Sequence, residues 1–396
     1  MRWPQFAVRG AGALAAIMLP VASVTAGCSP VKPAAAAARP AAAVPAAVPA
    51  SGPVPAAPAG SFRPGQLNAV AAVSTGSAWA VGVAGHKTLV ERWDGQAWSE
   101  VPGRDLAAGS VPLQGVTARS ASNAWAVGEI SGDDTLVWHW NGRQWQRLPS
   151  PTPSSGGDGL TAVAAISGSD AWAVGFAASS SILSTTLIEH WDGRTWKHVP
   201  SPAPQPGCGG CQFPGDRLTG VAVTSVANAW AVGGSGRGAL IERWNGARWT
   251  WVTGPAAAAP GGSLQAVTAR SASDAWAVGS IKGETLTEHW NGRSWTRVPS
   301  PSPASALDGN VLTSVAATSP SNAWAAGYTG DHTLMLHWDG KTWTHVPTPS
   351  PGTEPEFLGV AAASADCAWA VGLSGDDRTL IAHWDGKTWT RQADRR

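Results

Sequence analysis

The pentapeptide AWAVG occurs six times and AWAAG once, placing Trp at 79, 125, 172, 230, 276, 324 and 369. The intervals between them are 46, 47, 58, 46, 48 and 45 residues. Each of these Trp has a Val nine positions earlier, from Val70 to Val360. Each is followed by a second Trp, an Asp or Asn, a Gly, and a third Trp five positions after the second, as in Trp191, Asp192, Gly193 and Trp196. A repeat of this length is one supersecondary unit that cannot bury its apolar face alone, so copies must stack as a solenoid, a propeller or an array. The lopsided aromatic usage, 24 Trp against five Phe and one Tyr, follows from three Trp per copy.

The content of one copy chooses among these. LTAVAAI, AWAVG, TLIEHW and TWKHVP read as four short strands, and no copy holds an amphipathic stretch long enough for a helix. Asp-Gly or Asn-Gly separates the third and fourth strands, the pair that supplies positive φ in a tight hairpin, and Ser-x-Asn/Asp supplies a polar turn between the first two. The expected fold is all-β: a seven-bladed β-propeller with four antiparallel strands per blade, an open β-array being the alternative. Whether the hairpin loop has two or four residues, Trp191 and Trp196 share one face of the blade and fill the gap to a neighbour, while His190 points to the other face. Sevenfold repetition spreads such groups around a ring, so HWDGRTW and its relatives read as scaffold.

At these residues the repeat resembles the kelch motif, in which an aromatic and a glycine doublet mark strand two, an aromatic with an acid ends strand three, and Trp opens strand four. Trp172 to Gly175, Trp191 with Asp192, and Trp196 occupy those places; only Gly233 and Gly234 keep the doublet, and Trp replaces the usual Tyr. The Asp-Gly-x-x-Trp turn also resembles in part the Asp-box of sialidase-type propellers. Both resemblances imply propeller architecture and neither carries an activity.

Three segments are expected. Residues 1–27 combine Arg2 and Arg9, an apolar run from Gly10 to Val24, and Thr25-Ala26-Gly27 before Cys28. They resemble a bacterial lipoprotein signal peptide, which implies cleavage before Cys28, lipidation of that residue, and an extracytoplasmic protein held at the cell membrane by its lipid anchor alone. Residues 28–61, rich in Ala and Pro, suit an extended spacer without a core. Residues 62–396 form the propeller, expected as a monomer. With 27 Lys and Arg against 26 Asp and Glu the net charge is +1, so no nucleic-acid partner is expected.

Function is expected where the copies differ. The 1–2 and 3–4 turns are short and uniform, whereas loops 2–3 and 4–1 project from the opposite face and vary, and loops on a rigid scaffold commonly carry recognition. The candidate binding face comprises Asp133, Asp134, Lys282, Glu284, Tyr328, Asp331, His332, Asp376, Asp377 and Arg378, with Trp138, Phe176 and Tyr328 as possible aromatic anchors. The expected partner is an extracellular protein or glycan. The alternative is an envelope-associated glycan-active hydrolase or lyase with its site at the channel mouth. No catalytic residue, cofactor or metal site is assigned; the paired Asp of GDD are too few ligands to imply Ca²⁺. Cys208 and Cys211 suit a local disulfide pinning the loop after blade three, and Cys367, replacing the Asn or Asp of the 1–2 turn, suits a lone thiol.

Overall fold

The computed structural model describes residues 62–395, apart from 86, 102–111, 131–133, 155, 179–183, 203–214, 237 and 258. The leader, Cys28, the spacer, Asp133, Cys208 and Cys211 lie outside the described residues.

Seven antiparallel sheets follow one another along the chain, each a four-stranded meander, and they form a seven-bladed β-propeller. The third blade shows the plan: Asp158–Ser167 is innermost, then Asp170–Ala178, Ser184–Trp191 and the short outer strand Trp196–His198. The ring closes twice over. The first blade (Gln66–Ser74, Ser77–Ala84, Lys87–Trp93, Trp98–Glu100) receives the chain end, Asp394–Arg395, as a parallel fifth strand along Trp98 and Ser99. The residues before it clasp the last blade, where the Gly65 N–H donates to the Asp377 carbonyl at 3.0 Å and the Thr379 N–H to the Arg63 carbonyl at 2.9 Å. All seven blades and both closing contacts therefore lie within residues 62–395.

Each gap between blades is filled by three Trp. The strand-two Trp of one blade enters between the hairpin Trp pair of the next: Trp172 meets Trp244 at 4.9 Å and Trp249, edge to face, at 5.2 Å. The same trio recurs from Trp79 with Trp140 and Trp145 round to Trp369 with Trp93 and Trp98. Flat rings of this size bury large areas and favour tilted or T-shaped packing, which sets the wedge angle between sheets.

The hairpin is a four-residue loop. Trp191 pairs with Trp196, Gly193 alone takes a positive φ of 90°, and the Asp192 carboxylate accepts the N–H groups of Arg194 and Thr195, each at 2.9 Å. The expectation that Asp-Gly together supplies positive φ is corrected here: Asp or Asn is required for its side-chain acceptor, and Gly for the backbone. The second Trp then ties this turn to the 1–2 turn beside it, the Trp191 indole N–H donating to the Gly168 carbonyl at 3.1 Å.

The Gly of AWAVG has a different cause. Strand one carries a bulge opposite it, between Leu160 and Ala162 in the third blade. This presses the neighbouring backbone so close that a Cβ on Gly175 would lie 1.9 Å from the Gly159 carbonyl oxygen. Any side chain there would break the ladder.

Candidate recognition surface

Each innermost strand carries two bulges, and the extra residues of the first ring the central channel: Asn68, Gln114, Thr161, Thr219, Gln265, Thr313 and Leu358. The channel encloses about 160 Å³ and its lining holds no charged side chain. Thr161 Oγ1 lies 3.0 Å from the Val174 carbonyl of its own blade and 2.6 Å from the Leu218 carbonyl of the next. Thr313 bridges Ala326 and Phe357 in the same way, and Asn68 donates to the Leu113 carbonyl at 2.8 Å. These groups stitch inner strands together across the gaps.

At the channel's mouth on the loop face the repeat stops dictating residues. The position after the AWAVG Gly reads Val83, Glu129, Phe176, Gly234, Ser280, Tyr328 and Leu373 around the ring. Phe176 is half-buried, with the Arg217 guanidinium of the next blade 4.6 Å from its ring centre. Tyr328 is half-buried beside Glu356; burial, with that carboxylate's charge, raises its phenol pKa. Burial, with the charge of Glu354, also raises Glu356. Sequence reasoning did not find Glu129, Arg217 or Glu356, whose signal was only that they break the repeat at an inner strand end.

The candidate residues named from sequence divide in two. Asp376, Asp377 and Arg378 belong to the clasp: Asp376 pairs with Arg378 at 3.2 Å, Arg378 donates to the Phe62 carbonyl, and Asp377, at φ 56°, receives Gly65. Lys282, at φ 52°, and Gly283 form the tip of a tight turn, Glu284 reaches Arg297 at 3.7 Å, and Asp331 lies 2.5 Å from His332 with both exposed. Asp134 is exposed at the start of its strand. The structure does not gather these into one cluster, and no group of three or more His, Cys, Asp or Glu fit to hold a metal occurs among the described residues. Trp138 is corrected as an anchor: it is buried in the core beside Trp140 and Trp145, filling the place that Glu takes in four other blades.

Those four glutamates, Glu91, Glu189, Glu242 and Glu288, are fully buried between blades. Glu242 accepts from Ser201 at 2.9 Å and Glu288 from the Ala256 N–H at 2.5 Å. Burial, together with the charge of Asp158, pushes Glu189 up to about 8, and burial with the charge of Asp216 pushes Glu242 to about 7. Burial disfavours the charged form, so Glu189 holds its proton at neutrality and Glu242 holds it in part.

The repeated His is accounted for by its partner directly opposite in register. His190 lies over Trp172 with ring centres 4.2 Å apart, and its Nε2 is 3.0 Å from Asp170. Arg92 and Arg243 stack the same way on Trp79 and Trp230, so this position selects a flat cation-capable group.

No known family model matches the sequence, and no curated protein matches it. Solved structures similar to it include a propeller. The WD40 β-propeller domain of Doa1 aligns with a TM-score of 0.56 at 11% identity, covering 83% of this chain and 95% of that one. YCF48 from Cyanidioschyzon merolae aligns at 0.54 and 16%, covering 82% and 97%, and YCF48 bound to D1 peptide at 0.53 and 16%, covering 81% and 92%. The BP39L lectin from Burkholderia pseudomallei aligns at 0.51 and 13%, covering 84% and 100%. At such identities the likeness is one of fold.

Proposed function

We propose that this chain is an extracytoplasmic binding scaffold, tethered through a lipid on Cys28, whose loop face recognises a protein or glycan. The observation that carries it is the contrast between the two faces. The 3–4 turns repeat Asp/Asn-Gly and the 1–2 turns Ser-x-x-Asn/Asp, with Ser77 and Cys367 in place of the Asn/Asp in blades one and seven, while the loop-face mouth differs at every blade, with Glu129, Phe176, Arg217, Tyr328 and Glu356 each appearing once. A channel lined by amides and hydroxyls is suited to hydrogen bonding a ligand rather than to proton transfer. Solved structures of similar fold include one bound to a peptide and one that is a lectin, in keeping with a binding role.

The test is capture from envelope extracts and on a glycan panel using residues 62–396, beside Tyr328→Ala and the pair Asp331→Ala with His332→Ala. Loss of a captured partner in either variant supports the reading. A partner retained by both variants, or no partner at all, removes it. Cys28→Ala in the full chain is expected to release the protein from the membrane fraction; unchanged retention removes the anchor.

A further inference from the structure

The net charge of +1 conceals a separation of charge that only the fold creates. The residue after the hairpin Gly is Arg143, Arg194, Arg293, Lys341 and Lys387 in blades two, three, five, six and seven, and blade four carries Arg248 one place later. All six are exposed, all lie on the turn face, and none is in an ion pair among the described residues. Acids on that face have local partners and keep their charge, Asp94 accepting the Gln96 and Ala97 N–H groups, while Asp366 stands exposed. Asp339 and Asp385 turn their carboxylates to backbone N–H groups at 2.8 to 2.9 Å, Asp192 does so while also holding Lys197, and Asp170 and Asp274 hold His190 and His289. Several cations of the loop face are instead paired, Arg63 with Glu91 and Glu100, Arg297 with Glu284, and Arg378 with Asp376, although Arg217 and Lys282 on that face are in no ion pair among the described residues.

Behind the turn tips stand the second Trp of each hairpin. Trp93, Trp191, Trp244, Trp338 and Trp384 are half-buried, each donating its indole N–H to a carbonyl of the 1–2 turn at 2.9 to 3.1 Å. Val226, in the 1–2 turn of blade four, is 69% exposed. Unpaired cations at the tips with indoles set just behind them match the order of groups at a bilayer interface, where Lys and Arg meet phosphates and Trp sits at headgroup depth.

We propose that the turn face is a docking surface for an anionic phospholipid bilayer. The cations stand one in each of six of the seven blades around the ring, blade one carrying Gln96 instead. A plane meets all of them together, whereas an extended polyanion tracks only neighbours. This contact is on the opposite face from the proposed recognition mouth and does not depend on it. It also revises the expectation that the lipid anchor is the sole membrane contact.

The experiment is co-sedimentation of residues 62–396, which contain every blade and both closures but not Cys28, with vesicles of phosphatidylcholine alone or mixed equally with phosphatidylglycerol. Binding is expected to the mixed vesicles only, and to weaken with salt. The combined variant Arg143→Gln, Arg194→Gln, Arg293→Gln, Lys341→Gln and Lys387→Gln copies what blade one carries as Gln96, and should bind at least ~10-fold more weakly, since each cation near such a surface contributes roughly fivefold. Lys in place of the three Arg should preserve binding, which guards against a folding effect, and Tyr328→Ala should leave it unchanged. Equal binding to both vesicles, no binding to either, or an undiminished neutral variant overturns the proposal. So does tight binding of soluble polyphosphate without binding to vesicles, which would make the face a polymer site.

Discussion

Trp369 of the last blade and Trp98 of the first meet edge to face, their ring centres 5.1 Å apart at 89°. The geometry is that of every internal gap, Trp276 with Trp343 for example at 5.1 Å and 83°. The seam where the chain ends meet is therefore packed as well as any other, and the C-terminal strand and N-terminal clasp add hydrogen bonds to a joint already filled.

Trp369→Ala should consequently cost as much as Trp276→Ala, about 3 to 5 kcal/mol each, because both leave a large cavity in a rigid gap. Urea unfolding of the two variants checks this. A much smaller loss at the seam would mean that backbone pairing, not the Trp trio, closes the ring.

Asn141 accepts from the Arg143 and Gln144 N–H groups, both at 3.0 Å. Asn141→Ala frees two backbone donors at an exposed turn and should destabilise by about 1 kcal/mol, while Asn141→Asp should be tolerated. Thermal melts of the pair distinguish a side-chain cap from a requirement of backbone conformation, under which Asp would gain nothing over Ala.

Stability should fall as pH rises across neutrality. Glu189 and Glu242 have folded values of about 8 and about 7, both above the roughly 4.3 of an unfolded glutamate, so the folded state holds protons that the unfolded state has lost. The contribution is whole below the unfolded value and disappears as pH climbs through the folded ones. Glu189→Gln should flatten the decline in denaturation midpoint between acid and pH 8. A decline of unchanged slope would place the proton elsewhere.

Cys367 lies 3.6 Å from His383 Nε2, where Asn322 lies 2.8 Å from His337. Cys367→Asn restores the hydrogen bond used in blade six and should stabilise by about 0.5 to 1.5 kcal/mol. Calorimetry on Cys367→Asn and Cys367→Ala reads the difference, and equal melting points would show that the pair contributes nothing.

Sequence alone determined the architecture, because a sevenfold period, alternating short strands and an Asp/Asn-Gly turn per copy are local and repeated. Seven copies average out any single ambiguity. It also placed Trp191 and Trp196 on one face, since strand alternation needs no tertiary information. It did not reveal that His190 stacks on Trp172, eighteen residues earlier in the chain, or that the AWAVG Gly answers a bulge in the strand beside it, since both depend on register. The candidate site was legible only as a face. Asp376, Asp377 and Arg378 looked like free loop tips but hold the incoming chain, while Arg217 reaches Phe176 and Glu356 lies beside Tyr328, each across a boundary between blades. Near-neutral composition likewise hid the cations gathered on the turn face. Tertiary structure decided these matters because closing the ring turns seven equivalent copies into unequal neighbours, and only then does distance decide which side chains meet.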